Sequence, residues 1–349
     1  MKLEFWKDKR VFLTGHTGFK GSWLSLWLQY MGAQVYGYSL DPPTVPNLFT
    51  VAKVGNGLAN STTADIRDIS ALTEAMQIAQ PLVVFHLAAQ PLVRLSYAEP
   101  VETYAINVMG TVNLFEAVRK TPSVRAVINI TTDKCYENRE WVWPYREDEA
   151  MGGYDPYSSS KGCSELITAA YRRSFFQQSG VAVASARAGN VIGGGDWASD
   201  RLIPDFLRAI DAGQTLVIRS PKAVRPWQHV LEPLAGYMLL AEKLYTSGSP
   251  FAEAWNFGPE DADARSVQWI VENLCSQVPG AIWQCESEPQ SHEATMLRLD
   301  SSKAKIKLNW YPRWDLTTAL INTMSWHKAW KQGEDMTAKC FKQIRQYSS

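Results

Sequence analysis

The 349-residue sequence has no excess of charge of either sign. Lys and Arg together number 35, as do Asp and Glu, for a formal net charge of zero. That balance excludes the broad field that nucleic acid or an anionic membrane requires, so an anionic ligand must be held by locally placed cations. Uninterrupted apolar runs of about 18 residues are also missing, which excludes a membrane-spanning helix. The opening stretch "MKLEFWKDKRVFLTG" interleaves charges with apolar residues and lacks the apolar centre of a signal peptide. Cysteine is scarce. Cys135, Cys163, Cys275, Cys285 and Cys340 are odd in number, scattered and without a histidine cluster. Such spacing argues against both a disulfide framework and a zinc site. A soluble cytoplasmic protein with reduced thiols and no metal is expected.

What is present is an alternation. "RVFLTG" (10–15), "AQVYGYSLD" (33–41), "PLVVFHLAA" (81–89), "RAVINITT" (125–132) and "VAVASARAGNVIG" (181–193) read as strands. Helical spacing fills the intervals at 22–32, 69–80, 102–120 and 158–175. Apolar strands alternating with helices predict βαβ units and an α/β, doubly wound parallel sheet of the Rossmann type. After residue 189 the rhythm breaks into the glycine-rich "GGGDWASDRLIPD" and the Arg/Pro/Trp-rich "RSPKAVRPWQHV". "VLEPLAGYMLLAEKLY" (230–245) reads as a helix and "AEAWNFG" (252–258) as a strand returning to the sheet. The expected division is therefore 1–188 plus 230–257 for the dinucleotide-binding domain. Residues 189–229 plus 258–349 would form a smaller mixed α/β C-terminal substrate lobe.

"TGHTGFKGS" places Gly15, Gly18 and Gly21, with Thr17 and Phe19 between them, where the first strand meets the first helix. Glycines there permit a tight turn and bring backbone amides close to a pyrophosphate at the positive helix end. A phosphate-binding P-loop is disfavoured, because Lys20-Gly21-Ser22 reverses the Gly-Lys-Ser order. Asp41 closes the second strand, and no Arg or Lys lies between Ala33 and Pro46. An acid there favours free ribose hydroxyls, hence NAD over NADP. "YSSSK" puts Tyr157 and Lys161 one helical turn apart on one face. A neighbouring ammonium and a cationic nicotinamide would stabilise tyrosinate and let the phenol act as a base.

The Gly15, Gly18 and Gly21 spacing resembles the short-chain dehydrogenase/reductase superfamily, in its extended branch that modifies nucleotide sugars. That resemblance implies adenine contacts from Asp65 and Ile66 in "ADIRD". It implies that Leu87, Ala88 and Ala89 of "HLAAQ" pass beneath the ribose and pyrophosphate. Asn107 would organise the catalytic lysine, and Thr132 of "TTD" would hydrogen-bond the reacting oxygen. In the dTDP-glucose 4,6-dehydratases, Asp-Glu follows that threonine as acid and base. Asp133 matches the acid, while Lys134 departs from the glutamate and would have to be the base. Plain epimerases of the superfamily generally lack such a pair.

Further along, Asn190 resembles the family's diphosphate-contacting asparagine, and Leu202 in "LIPDF" the helix start that packs over the base. Arg219 and Arg225 offer guanidinium forks suited to a diphosphate. Trp227 reads as core, and Asn256 and His292 are weaker candidates for ribose or phosphate. Together "TGHTGFKGSWL", "TTDKCY", "RAGNVIGGGDWASDRLIPD" and "RPWQHVLEPLAGY" resemble the branch of the 4,6-dehydratases that acts on CDP-glucose. The resemblance implies a retained NAD and a homo-oligomer, dimer or tetramer, built on helices near 98–120 and 158–178. It also implies a supply of deoxyhexoses for bacterial surface polysaccharide. An enzyme for another nucleotide hexose, an epimerase, and a non-catalytic dinucleotide sensor stay open as alternatives.

Overall fold

The computed structural model describes residues 3–286 and 296–349. Its first half is built from β1 (Arg10–Thr14), α1 (Phe19–Tyr30), β2 (Gln34–Ser39), β3 (Asn60–Thr63), α2 (Ile69–Ala79) and β4 (Val83–His86). There follow α3 (Gly110–Arg119), β5 (Ala126–Ile130), α4 (Pro156–Tyr171), β6 (Ala182–Ala188), α5 (Leu231–Ser247) and β7 (Ala254–Phe257). Two long helices close the chain, α6 (Leu316–Lys331) and α7 (Met336–Ser348).

Among the described residues the main sheet has seven strands in the order β7-β6-β5-β4-β1-β2-β3, paired in parallel throughout. This is the doubly wound arrangement expected from the strand–helix alternation. The order reverses between β1 and β4, which opens a crevice beyond their carboxyl ends. The inner strands feed two cores because successive side chains point to opposite faces. Val11 and Leu13 enter one cluster with Trp23 and Leu24 of α1 and Leu234 and Met238 of α5. Phe12 between them enters the other, with Leu72 and Met76 of α2 and Leu114 and Phe115 of α3. A third cluster, including Ile203, Phe206, Leu216, Ile270 and Leu320, holds the smaller mixed region. Short strand pairs join 191–192 to 228–229, 224–226 to 264–266 and 216–218 to 283–285.

Four details differ from the sequence expectation. The helix anticipated over 102–120 is Pro100–Tyr104, then a wide π turn at Ala105–Met109, then α3. α1 begins three residues early, because Gly18 is its cap. β3 reads Asn-Ser-Thr-Thr and carries no apolar residue, so an edge strand of this kind leaves no hydrophobic signature. Last, α7 does not join the smaller lobe expected to include 258–349. Its Tyr347 ring stands 5.5 Å from that of Trp27 in α1, inside the main core. No helix among the described residues is long and apolar enough to cross a membrane.

Candidate active site

Thr14 ends β1, and Gly15 turns the chain at φ +74°, where glycine is favoured. A Cβ on Gly15 would lie 2.7 Å from the amide nitrogen of Ala88, and one on Gly21 only 2.0 Å from the Gly15 carbonyl oxygen. The turn is therefore closed against side chains on both sides. No side chain caps α1 at Gly18, so its first amides face outward at the positive helix end. The amides of Leu87 and Ala88 both donate to Thr14 Oγ1 at 3.2 Å, drawing the β4 end alongside the turn. Ala89 follows in the same loop. Thr17 Oγ1 lies 2.8 Å from Ser39 Oγ and donates to the Leu40 carbonyl. Half-buried Phe19 joins the main core. A bare helix start beside a glycine cradle is a fit for a dinucleotide pyrophosphate.

At the strand end beyond the turn, Ser39 is the last residue of β2, and Asp41 stands two residues farther on, exposed. Asp65 is gripped by Arg67, whose guanidinium also reaches Glu102. Ile66 is buried against Gly110, where a Cβ would come within 2.8 Å of its methyl.

α4 starts cleanly because Pro156 occupies its first turn and Asp155 accepts from the Ser158 amide at 2.9 Å. Tyr157 and Lys161 follow one turn apart, both buried. Asn107, in the π turn, accepts from the Gln90 amide and donates to the Gln90 carbonyl and to Ser160 Oγ at 2.9 Å. It thus ties the β4 loop to α4 at the residue before Lys161. Such π turns recur at functional sites. Burial pushes the Lys161 ammonium down to about 8, against opposition from Glu165 and Cys135. The Tyr157 phenol is pushed up to about 12, mainly by burial; the Thr132 hydroxyl beside it works the other way and Asp133 adds to the rise. The protein alone therefore favours the phenol, and the tyrosinate predicted from the Tyr/Lys pair is expected together with a cationic nicotinamide.

Beyond β5 the chain enters a single tight turn, Asp133–Cys135, capped by Thr132. Thr132 Oγ1 donates to Asp133 Oδ1 at 3.0 Å. Asp133 is 2 % exposed, and its Oδ2 has no hydrogen-bond partner among the described residues. Burial raises its pKa; the charges of Lys134 and Arg225 pull it down. Lys134 is half-buried beside it. Gly189 makes room for this carboxylate: a Cβ there would lie 2.9 Å from Oδ2 and 2.4 Å from Pro226.

On the substrate side, Arg225 is buried and its charge acts on Asp133. Asn190 is half-buried, with its carbonyl taken by the Gln228 amide. Leu202 opens the helix Leu202–Ala212. Arg219 pairs with Asp200 at 3.2 Å, and Arg94 pairs with the same oxygen at 3.0 Å. Trp227 is core, donating to the Arg265 carbonyl. Asn256 does not face the crevice. It is wholly buried, its oxygen accepting from Tyr136 and its amide donating to the carbonyls of Tyr145 and Asp300. Every polar atom of that side chain is engaged in holding β7. His292 lies outside the described residues.

Three groups escaped the sequence reading. Lys20 donates to the hydroxyl of Tyr237 at 3.0 Å. Arg201, ion-paired with Asp196 at 2.8 Å, brings its charge to bear on Tyr157 and on Lys20. Lys20 stood inside the quoted glycine turn, but nothing local indicated where its side chain goes.

Comparison with known proteins places this geometry. Residues 12–324 match the family described as GDP-mannose 4,6 dehydratase. The chain is 57% identical over 351 aligned residues to the CDP-glucose 4,6-dehydratase of Salmonella typhimurium, spanning 99% of this chain and 98% of that one. The dTDP-glucose 4,6-dehydratase of Streptomyces venezuelae, solved with NAD, superposes with a TM-score of 0.79 at 23% identity over 93% of this chain and 99% of that one. The UDP-glucose 4-epimerase of Thermotoga maritima, solved with UDP-glucose, gives 0.77 at 23% identity over the same shares, 93% and 99%. At such identities these two structures speak to the fold.

Proposed function

The chain belongs to the GDP-mannose 4,6 dehydratase family, and we infer that it is an NAD-dependent dehydratase that converts CDP-glucose to CDP-4-keto-6-deoxy-D-glucose and water. The near full-length similarity to a CDP-glucose 4,6-dehydratase carries this reading. The family's printed substrate, GDP-mannose, is a name for the group and does not choose the base.

The glycine cradle with Thr17, Leu87 and Ala88 would hold the dinucleotide. Bound NAD supplies a store for the hydride that leaves carbon 4 and returns to carbon 6, together with a positive charge that favours ionisation of Tyr157. Tyr157, with Thr132 beside it, takes the carbon 4 hydroxyl proton, and Lys161 supports it from one turn away. The ketone acidifies carbon 5. Lys134 takes the carbon 5 proton and later returns it. Asp133, whose burial favours the protonated form, gives its proton to the carbon 6 hydroxyl, which leaves as water. Over the cycle Tyr157 gains one proton and Asp133 loses one. The Thr132 hydroxyl, hydrogen-bonded to Asp133 and adjacent to Tyr157, provides a path for its return.

Assembly belongs to the same proposal. Val101, Tyr104 and Met109 on the split helix, and Leu166 and Phe175 on and just beyond α4, are exposed apolar side chains suited to a second copy. Reduced, unpaired thiols accord with a cytoplasmic location. The decisive experiment is turnover of CDP-glucose deuterated at carbon 4. Deuterium should appear at carbon 6 of the product. Its loss to solvent contradicts the cycle, and product formation only from dTDP-, UDP- or GDP-hexoses overturns the base.

A further inference from the structure

α4 carries two neighbouring stripes of side chains at helical spacing. Tyr157, Lys161 and Glu165 form one, Ser160, Ser164 and Thr168 the other, and all six are buried. The second stripe is made of hydroxyls whose partners come from other elements. Asn107 of the π turn donates to Ser160 Oγ, while Asn129 of β5 donates to Ser164 Oγ at 2.9 Å and to Thr168 Oγ1 at 2.8 Å. Thr111, the second residue of α3, is where these contacts meet the cofactor side. Its hydroxyl donates to the Asn107 carbonyl at 2.7 Å, and the same Oγ1 lies 3.0 Å from Ser164 Oγ and 3.4 Å from His86 Nε2. The other ring nitrogen of His86 lies 2.8 Å from Thr14 Oγ1, the atom that accepts from the Leu87 and Ala88 amides. Thr14, His86, Thr111 and Ser164 are each at most 3 % exposed. One arrangement of protons satisfies the whole chain. The Thr111 proton goes to the Asn107 carbonyl, so Ser164 Oγ and His86 Nε2 both donate to Thr111, and His86 Nδ1 accepts from Thr14. Burial keeps the His86 ring neutral, pushing it down to about 3.

We propose that Thr111 is a positioning residue for the Tyr157/Lys161 pair: its hydroxyl joins the cofactor turn, through His86 and Thr14, to the face of α4 beside that pair. The proposal rests on the dehydratase reading above. In the oxidation, ionised Tyr157 takes the carbon 4 hydroxyl proton while the hydride leaves for NAD, so the base and the cofactor must stand at a fixed separation. Thr14 gathers the loop that would lie beneath the dinucleotide, and Ser164 sits three residues beyond Lys161. Thr111 and His86 are the buried side chains that connect those two ends. Removing the Thr111 hydroxyl strands the His86 Nε2 proton without an acceptor and frees Ser164 to turn. A misplacement of about 1 Å between reacting groups can cost about 100-fold in rate. Asn107 makes a separate tie, from Gln90 to Ser160.

The test uses the full-length enzyme and its Thr111→Val, Thr111→Ser and Ser164→Ala variants. Stopped-flow mixing of each NAD-loaded protein with CDP-glucose follows cofactor reduction by near-ultraviolet absorbance. For Thr111→Val the expected result is retained NAD, an unchanged KM for CDP-glucose, and reduction slowed about 10–100-fold. Thr111→Ser, which keeps the hydroxyl, should recover most of the rate, and Ser164→Ala should lose less than Thr111→Val. A second readout needs no turnover. Amide hydrogen exchange is measured on protein stripped of NAD and again after NAD is added back. In the unmodified enzyme NAD should slow exchange in the 14–22 turn and in α4; in Thr111→Val it should slow the turn alone. Wild-type reduction by Thr111→Val, Thr111→Ser no better than Thr111→Val, or cofactor protection that still reaches α4 overturns the proposal. So does a loss of NAD affinity that accounts for the whole rate change, which makes Thr111 a part of cofactor binding. If Thr111→Val does not fold, Ser164→Ala decides on both readouts: wild-type reduction together with unchanged protection of α4 overturns the proposal. Failure of the unmodified enzyme to dehydrate CDP-glucose would strike the functional reading itself and leave the exchange result to judge Thr111.

Discussion

Replacing Arg187 by methionine should destabilise the platform beneath Tyr157 and Lys161. Arg187 on β6 meets Glu165 on α4 through two parallel bonds, Nη2 to Oε2 at 2.8 Å and Nε to Oε1 at 2.9 Å. Both side chains are only 4% exposed. Glu165 also accepts from Ser185 and Thr131, and Arg187 donates to Tyr136 Oη at 2.7 Å. Burial pushes the Glu165 carboxyl up, but Arg187 and the hydroxyls outweigh it and hold the group below its usual range. Glu165 lies one turn beyond Lys161, so this fork seats α4 on the sheet. Arg187→Met leaves a buried carboxylate uncompensated, at a cost of about 3–5 kcal/mol. With an unfolding entropy near 2.1 cal/mol/K per residue, or about 0.7 kcal/mol/K for a chain of this length, the melting temperature should fall by about 4–7 °C. Adding Glu165→Met removes the stranded charge, and the double variant should recover most of the loss. Urea titration and calorimetry on the single and double variants decide the matter. A single-variant loss below about 1 kcal/mol, or a double variant worse than either single, refutes the reasoning.

Three further outcomes are expected. Glu232 is buried under Tyr347 and the amides of Arg313 and Trp314, and burial pushes its carboxyl up to about 7 from an ordinary 4.5. The folded state therefore favours its protonated form, a contribution fully present below pH 4.5 and lost as pH rises to about 7. At about 1.4 kcal/mol per unit this amounts to about 3 kcal/mol. The stability difference between wild type and Glu232→Gln should shrink by that amount across the window, and a flat difference contradicts the assignment. Gly189→Ala must displace Pro226 or the Asp133 carboxylate; kcat should fall at least about 10-fold with NAD binding intact, and an unchanged kcat shows that the loop absorbs the methyl. Lys134→Met should permit carbon 4 oxidation while stopping elimination, as read by accumulated reduced cofactor; normal turnover removes Lys134 from the chemistry.

Local spacing made much of the site legible. Gly15, Gly18 and Gly21 speak through backbone geometry at a strand–helix junction, and Tyr157 and Lys161 through a single helical turn. Asp133 is singled out by the resemblance of "TTD" to the dehydratases' strand end rather than by spacing. The partners of these groups were not legible in the same way. Tyr237 is 217 residues from Lys20, and no periodicity announces that their side chains meet. Asn256 looked available for a ligand because a lone asparagine carries no sign of its neighbours; folding spends all its polar atoms on Tyr136, Tyr145 and Asp300. Arg219 looked like a free fork, and the fold sets it on Asp200.

By itself the sequence determined the alternation of strands and helices, the dinucleotide turn and the Tyr/Lys pair, because each depends on residues within a turn or two of one another. Tertiary structure alone decided the electrostatics. Whether Lys161 sits near 8, Tyr157 near 12 or Lys20 near 7 depends on which groups exclude water around it and which charges stand opposite. Those neighbours arrive from α4, α5, the Asp133–Cys135 turn and the loop before Leu202, and only the closed fold brings them to one crevice.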